Sequence, residues 1–159
     1  GCIAAFAQGN NKLYIEDFDI APGETKTLDI ILENEDPVSS LQFDITFPTG
    51  LSYVEGSLEK VTSRITRTSH SIVAAKQGKN VYRMGILSTS SEMTNLSVKG
   101  NNGTLLRIKV TADNDYKGSF IYMDGIIGSN GTVPTPVRLD MPSLKVKANV
   151  HVGDLCPTT

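Results

Sequence analysis

A chain of 159 residues with 39% hydrophobic and 20% charged residues has the size and composition of one globular domain, and this balance excludes a disordered segment. Its formal net charge of -2, with basic residues scattered rather than clustered, excludes a phosphate-binding surface and hence a nucleic-acid partner. No apolar run approaches the roughly 20 residues of a membrane-spanning helix.

The chain starts with an apolar stretch, Cys2 to Gln8, that ends in Ala5-Phe6-Ala7. Small-x-small is the pattern that precedes a secretory cleavage site. Residues 1–8 therefore read as a signal-peptide remnant or exported N-terminal segment, 9–150 as one β domain, and 151–159 as a C-terminal tail. The alternative makes Cys2 the lipid-anchored cysteine of a bacterial lipoprotein, although Ile3 to Phe6 is more apolar than the exposed tether that follows such a cysteine. Either reading places the protein outside the cell, secreted or on the bacterial surface. Cys156 is the only other cysteine, and a Cys2–Cys156 disulfide would clamp the two ends if Cys2 is retained. Without a Cys-x-x-Cys pair, and with two isolated histidines, the sequence offers no standard zinc site. The expectation is no metal and no cofactor.

Leu13 to Ile20 reads as a first strand, and Ala21-Pro22-Gly23-Glu24 as a turn. In Thr25 to Asn34, Leu28, Ile30 and Leu32 alternate with Thr27, Asp29, Ile31 and Glu33, which predicts a second strand. The most regular stretch follows. Leu41, Phe43, Ile45 and Phe47 alternate with Gln42, Asp44 and Thr46, so one face is buried and the other wet. Pro48 and Gly50 end it, and its regularity marks it as the central strand. Gly56 to Arg67 mixes helix-like spacing of Leu58, Val61 and Ile65 with β-branched residues, which predicts a strand from about Ser63. Residues 71–75 and 81–87 predict a hairpin around a five-residue loop at 76–80. Leu96 and Val98 anchor a polar stretch. Further strands are predicted at 103–110, 119–127 and 144–150, with a turn at 113–118 and a hairpin signal at Asn130-Gly131. About nine short strands and no long helix predict an all-β, two-sheet sandwich of jelly-roll type.

The order of Pro22-Gly23-Glu24-Thr25, Leu28 to Leu32, Leu41 to Phe47, Gly50-Leu51 and Gly103 to Ile108 resembles that of the bacterial cohesin-like modules. These belong to a larger group of jelly-roll domains that also holds cellulose-binding modules. The likeness runs from about Leu13 to Val150. It implies a nine-stranded jelly roll that is exported and non-catalytic and works in cell-surface adhesion, polysaccharide handling or docking of partner modules. In dockerin-binding cohesins, Asn and Asp contacts lie on the outward face of the corresponding strand. Here those positions are Ser40 and Gln42, a departure that weakens the case for tight dockerin capture. No dockerin-type calcium loop is visible in the chain.

Catalytic constellations are weak. The 17 acidic residues fall mostly in turns or on wet strand faces. Ser69-His70-Ser71 lacks the Gly-x-Ser-x-Gly elbow, and neighbours on a strand face opposite ways, so His70 reads as a surface or edge histidine. Asp113-Asn114-Asp115 reads as a turn, and the acceptor patterns at Asn95, Asn102 and Asn130 as polar loops. With no Trp, a flat cellulose platform is not expected. Phe43 and Phe47 belong to the core. Of the five tyrosines, Tyr82 is the exposed-strand candidate. The candidate binding face is thus Ser40, Gln42, Asp44 and Thr46, with Tyr82 and Arg83 on the neighbouring hairpin. The expected partner is a surface protein or dockerin-like module, or else a glycan.

Overall fold

The computed structural model describes residues 8–66, 68–88, 97–131 and 137–152. Cys2, Cys156, Leu96, the Asn95 pattern and most of the terminal segments lie outside them. Among the described residues, twelve strands run in chain order: β1 (Asn11–Tyr14), β2 (Phe18–Ile20), β3 (Thr25–Asn34), β4 (Ser40–Thr46), β5 (Leu51–Tyr53), β6 (Glu59–Lys60), β7 (His70–Gly78), β8 (Val81–Ser88), β9 (Thr104–Ala112), β10 (Ser119–Asn130), β11 (Val137–Asp140) and β12 (Leu144–Val150). One sheet has the order β1-β3-β9-β5, with β6 also on β9. The other has the order β2-β12-β10-β4-β8-β7, with β11 also on β10. No helix occurs among the described residues. The all-β two-sheet sandwich is therefore as predicted.

β4 is an interior strand of the larger sheet, between β10 and β8. Its alternation holds, with Leu41, Phe43 and Ile45 buried and Gln42 exposed. Across the interlayer space, Leu28, Ile30 and Leu32 of β3 and Leu106, Ile108 and Val110 of β9 bring an equally dry face. Two apolar faces of this kind hide each other from water, which is the main force joining the layers.

Four sequence expectations are corrected. Leu13 to Ile20 is two strands rather than one. β1 pairs with β3 in the smaller sheet, while β2 runs parallel to β12 in the larger. The cause is a change of phase: Leu13 and Ile15 are buried at odd positions, Ile20 at an even one, so the chain must re-aim between them. No strand forms at Ser63. Arg64 and Ile65 are both buried neighbours, which period two forbids, and their amides both bond the Val61 carbonyl in a turn. The hairpin loop is shorter than five residues, because β7 runs on to Gly78 and only Lys79-Asn80 connect it to β8. Asn80 takes φ 59, a left-handed conformation that Asn tolerates. Finally, the hairpin signalled at Asn130-Gly131 does form, between β10 and β11, but Asn130 lies in the strand opposite Val137 rather than in a two-residue turn. The Asp113 turn does form, with the Tyr116 amide on the Asp113 carbonyl.

Candidate interaction face

The cross-strand register places the candidate residues on or off one surface. Gln42 lies opposite Gly85, Asp44 opposite Arg83 and Thr46 opposite Val81, and on the other side Ser40, Gln42, Asp44 and Thr46 lie opposite Ser129, Ile127, Asp124 and Tyr122. Directly opposed residues in a sheet point to the same side. The outer face of the larger sheet therefore carries all four β4 residues, and Arg83 with them.

Tyr82 is not on this face. It lies opposite Ile45, points inwards and is only 7% exposed. Its ring packs against Tyr53 and Phe47 at centroid distances of 4.7 and 6.1 Å, and its hydroxyl donates to Glu55 at 3.0 Å. The sequence made Tyr82 the exposed-strand candidate, and the register corrects this to Arg83. The exposed aromatic on the face is instead Tyr122, at 47% exposure. Its alternation with Ile121 and Met123, both fully buried, was the available signal.

At the centre of the face, Arg83 holds Asp44 through two bonds, Nε to Oδ1 at 2.9 Å and Nη2 to Oδ2 at 3.2 Å. The hydrogen bond to the carboxylate, then its charge, raise the Arg83 pKa above its ordinary value. Both side chains are partly exposed, so the pair serves more to fix two polar groups in place than to stabilise the fold. Beside it β10 carries a bulge between Asp124 and Ile127, with Gly125 at φ 57. The extra residue switches the outward set from Tyr122 and Asp124 to Ile127 and Ser129. At one end of the face, the Lys145 ammonium sits 4.0 Å from the centroid of the Phe120 ring and 5.8 Å from that of Tyr122. At the other end Ser40, Gln42, Leu87, Ile127 and Ser129 line a shallow hollow of about 180 Å³. Gly85 floors the approach of β8 to β4, where a β-carbon would collide with the Leu41 carbonyl oxygen.

His70 is another correction, for it is 2% exposed rather than on the surface. Its Nε2 lies 2.8 Å from the Ser39 carbonyl, so Nε2 carries the proton and donates. Nδ1 is then the acceptor for the Ser69 hydroxyl at 2.7 Å. Ser69 precedes β7, which is how neighbouring residues come to meet. A buried ring held by a carbonyl and a hydroxyl ties the start of β7 to β4. Among the described residues no carboxylate hydrogen-bonds it, and no group of three or more His, Cys, Asp or Glu is placed to hold a metal ion.

Burial, and then the bond to Glu55, push the Tyr82 phenol above the ordinary tyrosine value, and burial raises Tyr116 too. A folded pKa above the unfolded one means stability that is complete below about pH 10 and lost as pH rises through the folded value. The thermal midpoint by calorimetry should thus fall above about pH 10, and less steeply in Tyr82→Phe.

The layers, strand order and bulge define a two-sheet jelly-roll sandwich. Within that class the chain has the cohesin fold. It superposes on the seventh ScaB type I cohesin of Pseudobacteroides cellulosolvens with a TM-score of 0.71, at 11% identity over 89% of this chain and 92% of that one. A type I cohesin–dockerin complex of Clostridium thermocellum gives 0.69, at 13% identity over 90% and 100%. A non-cellulosomal cohesin of the archaeon Archaeoglobus fulgidus gives 0.63, at 13% identity over 88% and 91%. No protein-family model matches the sequence, and no curated protein matches it. The likeness is one of fold.

Proposed function

We propose that this chain is an exported, non-catalytic binding module that takes a dockerin-like protein partner on the outer face of the larger sheet, in cell-surface adhesion or assembly. The observation that carries this reading is the composition of that face. It sets a fixed polar row, Ser40, Gln42, Asp44 and Thr46, between Arg83 on one side and Tyr122 on the other. Protein interfaces draw most of their energy from a few Tyr, Trp or Arg residues with near-neutral polar contacts around them, and this face has that make-up. Cohesins of the same fold have been solved in complex with dockerins, which supports the choice of partner class. A glycan is the less favoured partner. Tyr122 and Phe120 are the aromatics at this end of the face, and Lys145 already sits over the Phe120 ring, so no open planar strip is left for stacked sugars.

The test is calorimetric titration against a panel of dockerin modules and against cell-wall glycans. A dockerin should bind with Kd in roughly the micromolar range, and Tyr122→Ala or Gln42→Arg should weaken it about tenfold or more. Glycan binding untouched by either substitution would sink both the face and the protein partner.

A further inference from the structure

The edges of the two sheets are unequal. Four of the strands at or near an edge are short, with four residues in β1, three in β2, three in β5 and two in β6. Short edges are one way in which proteins avoid unwanted strand pairing. β7 is the exception, with nine residues ending the larger sheet. Its sequence, His70 to Gly78, contains no proline, and its first charged side chain after His70 is Lys76. Its one bulge, between Lys76 and Gly78, comes at the far end and leaves Ile72 to Ala75 regular. Val73 to Gly78 are all exposed. The usual protections of an edge, charge, proline and bulge, are missing from Ile72 to Ala75 and begin only at Lys76.

A groove runs beside the same edge. Ile72, Ala74 and Lys76 lie opposite Ile86, Met84 and Tyr82, so they point to the inner side of the sheet. The smaller sheet does not cover them fully, and Ala74 and Lys76 stay exposed. With Tyr53, Leu58, Glu55 and Tyr82 they line a hollow of about 260 Å³. Its walls are mixed, with tyrosine rings and the aliphatic groups of Leu58, Ile72 and Ala74 beside the polar ends of Lys76 and Glu55. Its carboxylate, Glu55, already accepts the Tyr82 hydroxyl.

We propose that β7 is a second binding site, which accepts an extended segment of a partner protein as an added antiparallel strand. The backbone groups of β7 that do not face β8 would supply ladder hydrogen bonds, with the weak Gln77 side-chain bond to the Ala75 carbonyl displaced, and the groove would take apolar side chains at alternate positions of the segment. Charge selects the rest. Lys76 and Lys79 stand at the hairpin end of β7, both exposed, and neither makes an ion pair among the described residues. An antiparallel segment brings its N-terminal end to that place, so the segment should carry carboxylates there and apolar residues after them. A second copy of β7 has no carboxylate to offer these lysines, because His70 to Gly78 contains none. The site is separate from the outer face and does not depend on it.

The experiment uses the full chain and a fluorescein-labelled synthetic peptide, Asp-Asp-Thr-Val-Thr-Ile-Thr-Val-Ser, followed by anisotropy. Two further versions are N-methylated on one or the other set of alternate residues. Saturable binding is expected, with one N-methylated version roughly tenfold weaker or worse and the other close to the parent, since only one set of amides faces β7. The double variant Lys76→Glu with Lys79→Glu should prefer the peptide that begins Lys-Lys, and Tyr122→Ala should leave binding unchanged. Three outcomes would overturn the proposal. They are no saturation up to about 1 mM peptide, equal binding by both N-methylated versions, and a dimer in sedimentation that Ala74→Arg abolishes, which would give the edge to a second copy.

Discussion

Phe43→Ala should lower the unfolding free energy by about 3–5 kcal/mol, because it empties a fully buried aromatic site between two packed sheets. Phe43 lies opposite Met84 on β8 and is flanked along β4 by Leu41 and Ile45, all buried. Strands locked on both sides cannot collapse far into the space, so the cavity cost adds to the lost transfer energy. Asp44, one residue on, faces the opposite way, and among the described residues its carboxylate bonds Arg83 alone. Asp44→Ser should therefore cost a small fraction of that amount, since exposed ion pairs contribute little. Urea unfolding of both variants, with unchanged slopes, makes the comparison. Equal losses at the two positions would mean that the in/out assignment of β4 is wrong, and with it the outer face.

Much of this was legible because period two is a direct record of burial in a sheet that is wet on one side. β3 and β4 keep one phase from end to end, and the sequence located both. The misses come where the phase breaks. The β10 bulge shifts the outward set within a single strand, so alternation read from Ser119 to Ile127 could not follow the face through Asp124. The jump between β1 and β2 hides in three residues. Tyr82 shows a different limit. In Val81-Tyr82-Arg83-Met84 the polar tip of Tyr and its wide ring suit either side, and what holds it inside is the pocket of Phe47, Tyr53 and Glu55, which comes from distant parts of the chain. Alternation with Ile121 and Met123 turns Tyr122 outwards, but it does not say which neighbours share its face. That becomes visible only once β10 is known to lie beside β4.

Arg64 was the least legible residue of all and should be among the costliest to remove. In the sequence it is half of an ordinary basic pair with Arg67. In the structure it is 4% exposed, and burial pushes its pKa down. The guanidinium is spent on acceptors from two stretches of chain: the carbonyls of Leu32, Lys99, Gly100 and Gly103, and Oδ1 of Asn34, at 2.6 to 3.1 Å. It thus fastens the end of β3 to the segment that leads into β9, where the amides of Leu32 and Asn34 also bond the Gly103 and Asn101 carbonyls. No other side chain offers five N–H donors in a rigid plane. Arg64→Met keeps much of the bulk but leaves the Leu32 carbonyl and Asn34 Oδ1, the two acceptors whose bonds to Arg64 are buried, without that donor, and buried acceptors without donors cost about 1–3 kcal/mol each before relaxation lets water in. The net loss should reach about 3–5 kcal/mol. Arg64→Lys should recover less than half, because one ammonium cannot span the ring of carbonyls. Hydrogen exchange should show the loss of protection starting at the amides of Leu32, Asn34 and Lys99. An Arg64→Met protein within about 1 kcal/mol of the parent would show that these acceptors find water without cost.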